Sequence, residues 1–245
     1  MSVLLIDIGN TRVKYCLADE YGPDDEAIIH SPEELLSKVS HVESAFISSV
    51  KKPELAKSYA QAIESICPVT IATTEKYALI AGETLQNSYT NIENMGVDRW
   101  LGMCAGLYLA KQCKRDSYLV VDAGTAITCD VVVRGKHQGG FIAPGLQQLQ
   151  AILLQNTDRV FAPDDWPNDI RLGQDTDACV GNGCLAQLQG VVELARRQIA
   201  QYSERYLLVV SGGDGDKLSN IQHRPKKHLQ NVVLLGLWTR FVHKL

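Results

Sequence analysis

The sequence has no surplus of positive charge: 24 lysines and arginines stand against 28 aspartates and glutamates, a formal net charge of −4. Without a net positive charge there is no global pull toward nucleic acid or anionic lipid, which disfavours a basic-patch binding function. Long apolar runs are also missing. The longest, around Val232 to Trp238, is interrupted by Gly236 and falls well short of the ~20 residues that span a bilayer. The first residues reach Asp7 through a short apolar segment with no basic region, which speaks against a signal peptide and for a cytoplasmic protein. Seven cysteines, at 16, 67, 104, 113, 129, 179 and 184, form no Cys-x-x-Cys pair. Six histidines, at 30, 41, 137, 223, 228 and 243, show no metal-ligand spacing. Disulfide scaffolds and zinc sites are therefore disfavoured; the thiols read as reduced and the histidines as surface residues without a catalytic role. Neither GxxxxGK(S/T) nor GxGxxG occurs, which removes the Walker and Rossmann phosphate loops.

What is present is 245 residues, 45% of them hydrophobic, enough for one large domain or two modest ones. Internal similarity favours two. Val3 to Ile8 runs through Asp7-Ile8-Gly9 into Asn10-Thr11, and Leu119 to Val121 runs into Asp122-Ala123-Gly124-Thr125. Each is an apolar strand meeting Asp-x-Gly, a hydroxyl residue close behind, and a second strand, which reads as a β-hairpin. The first copy continues with a strand near Ala27 to His30, a helix announced by Ser31-Pro32-Glu33-Glu34, strand Ala45 to Val50, a helix from Pro53, and strand Val69 to Ala72. The second continues with strand Lys136 to Ile142, a helix after Pro144-Gly145, a helix from about Thr176 to Gln201, strand Tyr206 to Val210, strand Asn231 to Leu234 and a closing helix. The expected architecture is α/β, two copies of one unit spanning residues 1–115 and 116–245, with a ligand cleft between them.

The Asp-x-Gly turns suit phosphate chemistry. Glycine admits a phosphate close to the main chain, and the carboxylate holds a cation. The same pattern also serves an ordinary turn, with glycine at positive φ and aspartate as its cap. A third glycine site, Ser211-Gly212-Gly213-Asp214, ends a buried strand and offers a flat backbone surface for a nucleoside. Gly96-Val97-Asp98-Arg99 opens an apolar helix, where Asp98 is either a first-turn acid favoured by the helix dipole or a proton acceptor for a hydroxyl nucleophile. The polar stretch Asn87 to Asn91 before it could line an organic substrate. Arg224 to His228 reads as a solvated basic loop.

Together, Asp7-Ile8-Gly9-Asn10-Thr11, Asn87-x-Tyr89, Gly96-Val97-Asp98-Arg99, Asp122-x-Gly124-Thr125 and Gly139-Gly140 with Gly145 resemble type III pantothenate kinase over the whole chain. The resemblance implies duplicated ribonuclease-H-like domains with the actin-like ATPase fold. It also implies phosphorylation of pantothenate by ATP, the first step of coenzyme A synthesis, by a homodimer. Residue by residue, it implies that Asp7, Ile8, Gly9, Asn10, Thr11, Arg12, Val13 and Lys14 form the first phosphate loop, with Asp7 near magnesium. It gives Thr125, Gly212 and Gly213 to ATP, and Asp122 to a monovalent cation, potassium or ammonium. Asp98 is implied as the base, and Tyr89, Gly96, Val97, Arg99 and Thr176 as the pantothenate pocket. The sequence departs from the family pattern at Ile92, Val97 and Asn182. Two other readings stay open, a kinase for a different small hydroxyl substrate and an ATP-binding regulatory protein of the same fold.

Overall fold

A computed structural model of the chain describes residues 2–39, 41–50, 53–155, 166–167 and 169–243. The first strands are β1 (Val3–Ile8), β2 (Val13–Ala18) and β3 (Ala27–Ile29), followed by α1 (Pro32–Lys38), β4 (Ser44–Ser49), α2 (Pro53–Glu64) and β5 (Val69–Ile71). They make a sheet of order β3-β2-β1-β4-β5, in which β2 is antiparallel and β4 parallel to β1. β1 carries Leu4, Ile6 and Ile8 into a core with Ile47 of β4, Leu35 of α1, and Tyr59 and Ile63 of α2. Leu5 of β1, which points to the opposite face, is also fully buried, so both faces of this central strand are covered and it reads as a continuous apolar run. The signals at α1 act as their chemistry requires: Ser31 Oγ accepts the Glu34 N–H, Pro32 takes the first helical position, and Glu34 reaches back to the His30 N–H.

A hairpin, β6 (Tyr77–Ile80) with β7 (Glu83–Gln86), then leads through a 3-10 turn at Ile92–Asn94 to α3 (Val97–Gln112). This hairpin is an addition to the element order expected from the sequence. α3 is buried nearly all round, including Trp100, Met103 and Cys104, which makes it a core helix.

The remaining elements are β8 (Ser117–Ala123), β9 (Ala126–Val133), β10 (Lys136–Pro144), α4 (Leu146–Gln155), α5 (Thr176–Ala200), β11 (Leu207–Ser211), β12 (Lys226–His228) and α6 (Val232–Leu237). Five strands of the second sheet run in the order β12-β11-β8-β9-β10, with β9 antiparallel and β11 parallel to β8. Numbered within its own half, each set of five strands runs 3-2-1-4-5 with the same strand directions about its first strand. The sequence repeat is therefore a repeat of fold, a mixed α/β pattern consistent with duplicated ribonuclease-H-like domains.

Two compact units result. One comprises Met1–Asp116, Arg134–His137 and Gln230–Leu245, the other Ser117–Val133 and Gln138–Leu229. α6 joins the first unit because it packs on α3 and β1. That corrects the expectation of a strand at Asn231 to Leu234. Four consecutive apolar residues suit a buried helix as well as a buried strand; packing on α3 and β1 decides for the helix, and Asn231 caps it. The last strand is instead β12, inside the stretch read as a solvated loop; Lys226 Nζ donates to the carbonyls of Leu218, Ser219 and Ile221 at 3.1, 3.2 and 3.3 Å. Among the described residues no helix is long and apolar enough to cross a membrane.

Candidate functional site

The first candidate element is the β1–β2 turn. Pairing of Ile8 with Val13 and of Asp7 with Lys14 brings these residues face to face, and the turn closes through a 3.1 Å hydrogen bond from the Gly9 N–H to the Arg12 carbonyl. Asn10, Thr11 and Arg12 are exposed at its tip, while Ile8 and Val13 pack into the core, so a phosphate contact from those two can come only from their backbone. Lys14 stands differently from its expected phosphate role, because its ammonium bonds Glu26 at 2.8 Å. Asp7, half-buried, accepts a 3.1 Å hydrogen bond from Asn231 Nδ2, 224 residues away. Beside it on β4, Ser48 is fully buried and its hydroxyl has no hydrogen-bond partner among the described residues.

In the second unit the parallel register sets Ser211 beside Asp122, which lays Gly212 against Ala123. Gly212 has φ +93°, and a Cβ there would collide with the Ala123 backbone; only glycine fits. The Asp214 N–H then bonds the Ala123 carbonyl at 2.9 Å, and the Gly145 N–H bonds the Thr125 carbonyl at 3.0 Å. Three segments distant in sequence, at Asp122 to Thr125, Gly145 and Gly212 to Asp214, thus converge into one backbone-lined cradle at the ends of β8 and β11. Burial pushes the Asp214 carboxyl above the usual carboxylate range, against the opposing influence of Lys217 and a hydrogen bond from the Leu146 backbone.

The third element surrounds α3. Gly96 is its N-cap and Asp98 sits in its first turn, where Asp98 Oδ1 accepts the Arg99 N–H at 2.8 Å. A Cβ on Gly96 would lie 2.5 Å from that same oxygen. The glycine makes room for the neighbouring carboxylate where it stands, since its φ of −58° and ψ of 134° suit any residue. The Val97 side chain is buried, which leaves only its backbone for a ligand. Arg99 is also buried; its guanidinium donates to Tyr89 Oη at 2.7 Å and lies 5.6 Å from the centroid of that ring. Asn87, fully buried, shapes the loop by accepting the Tyr89 N–H at 2.9 Å and donating to the Met95 sulfur at 3.2 Å.

His137 corrects the sequence reading. It is buried, its Nδ1 lies 2.9 Å from Ser88 Oγ, and its ring stacks on Tyr89 at 6.2 Å between centroids. No spacing signal could have found it, because it arrives from the start of β10, 48 positions after Tyr89. Asn231, by contrast, left a readable trace, a cap residue directly before an apolar run.

Thr176 is the first helical residue of α5, behind the N-cap Asp175 that accepts the Ala178 N–H at 2.8 Å. It lines an open cavity of about 570 Å³ with Asp175, Cys179, Gly183 and Gln187. Asn182 holds the preceding segment onto α5: its Oδ1 accepts the Arg171 N–H at 2.7 Å, and its Nδ2 donates to the Ala178 carbonyl at 2.8 Å.

Residues 3–198 match the family model described as type III pantothenate kinase. A type III pantothenate kinase from Pseudoalteromonas atlantica is 32% identical over 248 residues, covering 96% of each chain. Another, from Marinobacter nauticus, is 32% identical over 221 residues, covering 88% of each. Among solved structures, a protein from Campylobacter jejuni named for the Baf family of transcriptional activators is similar in fold, with a TM-score of 0.62, 21% identity, and 95% and 94% of the two chains covered. The ethanolamine utilization protein EutJ from Carboxydothermus hydrogenoformans aligns with a TM-score of 0.53 at 12% identity, over 98% of this chain and 90% of its own. At these identities the two structures speak for the fold alone.

Proposed function

The chain belongs to the type III pantothenate kinase family, and we propose that it transfers the γ-phosphoryl group of ATP to the primary hydroxyl of pantothenate. The observation that carries this reading is the arrangement at α3: Asp98 stands in a first turn where Gly96 leaves room for its carboxylate, and Arg99 next to it holds the hydroxyl of Tyr89. Asp98 takes the proton from the primary hydroxyl as the phosphoryl group leaves ADP, which keeps the attacking oxygen nucleophilic through the transition state. Tyr89, Arg99, Gly96 and the Val97 backbone orient pantothenate, with Thr176 on the substrate side. The turn from Asp7 to Lys14, Thr125, and Gly212 with Gly213 receive ATP, chiefly through main-chain N–H groups.

The residues present suit the cations that such a transfer uses. Among the described residues no group of three or more His, Cys, Asp or Glu could hold a metal by itself. Magnesium keeps several waters and needs only one or two carboxylates beside the substrate phosphates, which matches the single carboxylate of Asp7 beside Ser48, whose hydroxyl has no partner among the described residues. Asp122 with its turn carbonyls offers the oxygen donors that potassium or ammonium prefers. When bound, these cations supply positive charge against the phosphate oxygens.

We place the protein in the cytoplasm, with small-molecule substrates and neither nucleic acid nor membrane as a partner, in keeping with its net charge of −4 and its scattered thiols; the homodimer rests on the family resemblance alone. ADP release measured with and without pantothenate tests the central reading. Release that depends on pantothenate supports it. Equal release in both conditions, or release driven by a sugar in its place, would overturn it. Light scattering on the purified protein tests the dimer.

A further inference from the structure

Asp7 is the penultimate residue of β1, just before the turn, and its carboxylate is oriented in part by Asn231. The Asn231 Oδ1 accepts the N–H groups of Val233 and Leu234 at 2.9 and 3.1 Å, and its Nδ2 donates to Asp7 Oδ2 at 3.1 Å. Two backbone donors on the carbonyl leave the amide no choice of orientation, so its N–H is aimed at the carboxylate as a consequence of the cap. The cap itself is anchored, because Val232, Val233, Leu234 and Leu237 of α6 are buried and α6 packs on β1 and α3. Asn231 lies beyond the residues 3–198 that match the family model, in a segment whose chain position gives no hint of a role at the other end of the sequence.

We propose that Asn231 is a positioning residue for phosphoryl transfer, holding the Asp7 carboxylate in the orientation that receives magnesium–ATP. This rests on the kinase reading above. Asn231 touches neither substrate; it acts through Asp7. Hydrogen-bond partners of metal-binding carboxylates are worth about 10-fold to 100-fold in metal affinity or activity when removed.

Two variants separate positioning from capping. Asn231→Ser keeps a side-chain oxygen for the α6 N–H groups, and glycine is also tolerated at an N-cap, so Asn231→Gly provides a second route to a folded protein. The serine hydroxyl ends one bond short of the place of Nδ2 and glycine has no side chain, so neither reproduces the Nδ2 bond to Asp7. The readout is binding of a fluorescent ATP analogue to the full chain, titrated with magnesium and without pantothenate, beside thermal unfolding and the KM for pantothenate. The expected result is an unfolding midpoint near that of the unaltered protein, an unchanged pantothenate KM, and about a 10-fold to 100-fold rise in the magnesium concentration for half-maximal nucleotide binding. In excess EDTA the unaltered protein and both variants should bind the analogue alike. Superimposable magnesium titrations would overturn the proposal and leave Asn231 a helix cap. If the unaltered protein itself shows no magnesium-dependent nucleotide binding, the kinase reading fails and the proposal falls with it.

Discussion

Gly96→Ala puts the role of Asp98 to a test that avoids touching Asp98. A methyl group at position 96 would sit 2.5 Å from Asp98 Oδ1, where ordinary contact begins at 3.4 Å. The backbone at φ −58° and ψ 134° accepts alanine without strain, and the atom in the way is the end of a side chain, so the carboxylate yields rather than the helix. It must retreat by roughly 1 Å, and a displacement of that size at a reacting group costs about 10²-fold in rate. Stability should fall little. Alanine is a poorer N-cap than glycine by about 1 kcal/mol, which for a chain of this size lowers the unfolding midpoint by about 2–4 °C. The assay is steady-state ADP release at saturating ATP and pantothenate, with a thermal melt of the same preparation. Asp98→Asn is the companion variant, expected to lose ~10²-fold to ~10⁴-fold as the base is removed. Because both changes act through one carboxylate, adding Gly96→Ala to Asp98→Asn should cost almost nothing further. Turnover of Gly96→Ala within a factor of two of the unaltered protein would refute the reasoning, and Asp98 would then be a first-turn acid serving α3 alone.

Three further outcomes follow from the same geometry. Replacing potassium with sodium in the assay should depress activity, and Asp122→Asn should abolish the difference; equal rates in both salts would remove the cation role of Asp122. Burial holds the Asp214 carboxyl above its unfolded value of 3.8, so the folded state binds that proton more tightly and loses stability as pH rises from about 3.8 through the folded pKa. Asp214→Asn, which can still accept the Leu146 N–H, should therefore unfold at a higher temperature than the unaltered protein at pH 7, with the gap closing in acid; a lower midpoint at pH 7 would contradict this sign. His137→Phe keeps a ring against Tyr89 and loses the bond to Ser88, so the KM for pantothenate should rise ~2-fold to ~10-fold, the worth of one hydrogen bond, with kcat nearly constant. An unchanged KM would leave His137 a core residue.

The seven cysteines show how a composition argument becomes a packing one. Cys16, Cys67, Cys104, Cys129 and Cys184 are buried, and burial drives the Cys16 thiol up to about 12, with the charges of Asp24 and Glu26 adding to the effect. Such a thiol stays protonated and unreactive. Cys179, exposed beside Thr176, is the one that a thiol reagent should label first.

Local chemistry carried the sequence a long way. Two apolar strands each running into Asp-x-Gly specify two hairpins, because a continuous apolar run and a glycine at a tight turn are properties of a few consecutive residues. The cap at Ser31 with Pro32 and Glu34, and the start of α3 at Gly96, are equally local, and the repeated order of elements implied a duplicated α/β fold that the matching 3-2-1-4-5 strand orders display. Where the sequence misled, the deciding force was long-range. Val232 to Leu235 is helical because α3 and β1 offer it a surface, and a run of four apolar residues carries no period of its own. Asn231 meets Asp7, and His137 meets Tyr89, only after the chain has brought β1 to α6 and the start of β10 to the loop before α3. A sequence states which residues can turn, cap or bury themselves, since those preferences act over a few bonds. Which distant side chain finishes a site is decided by packing, which no neighbour in the chain records.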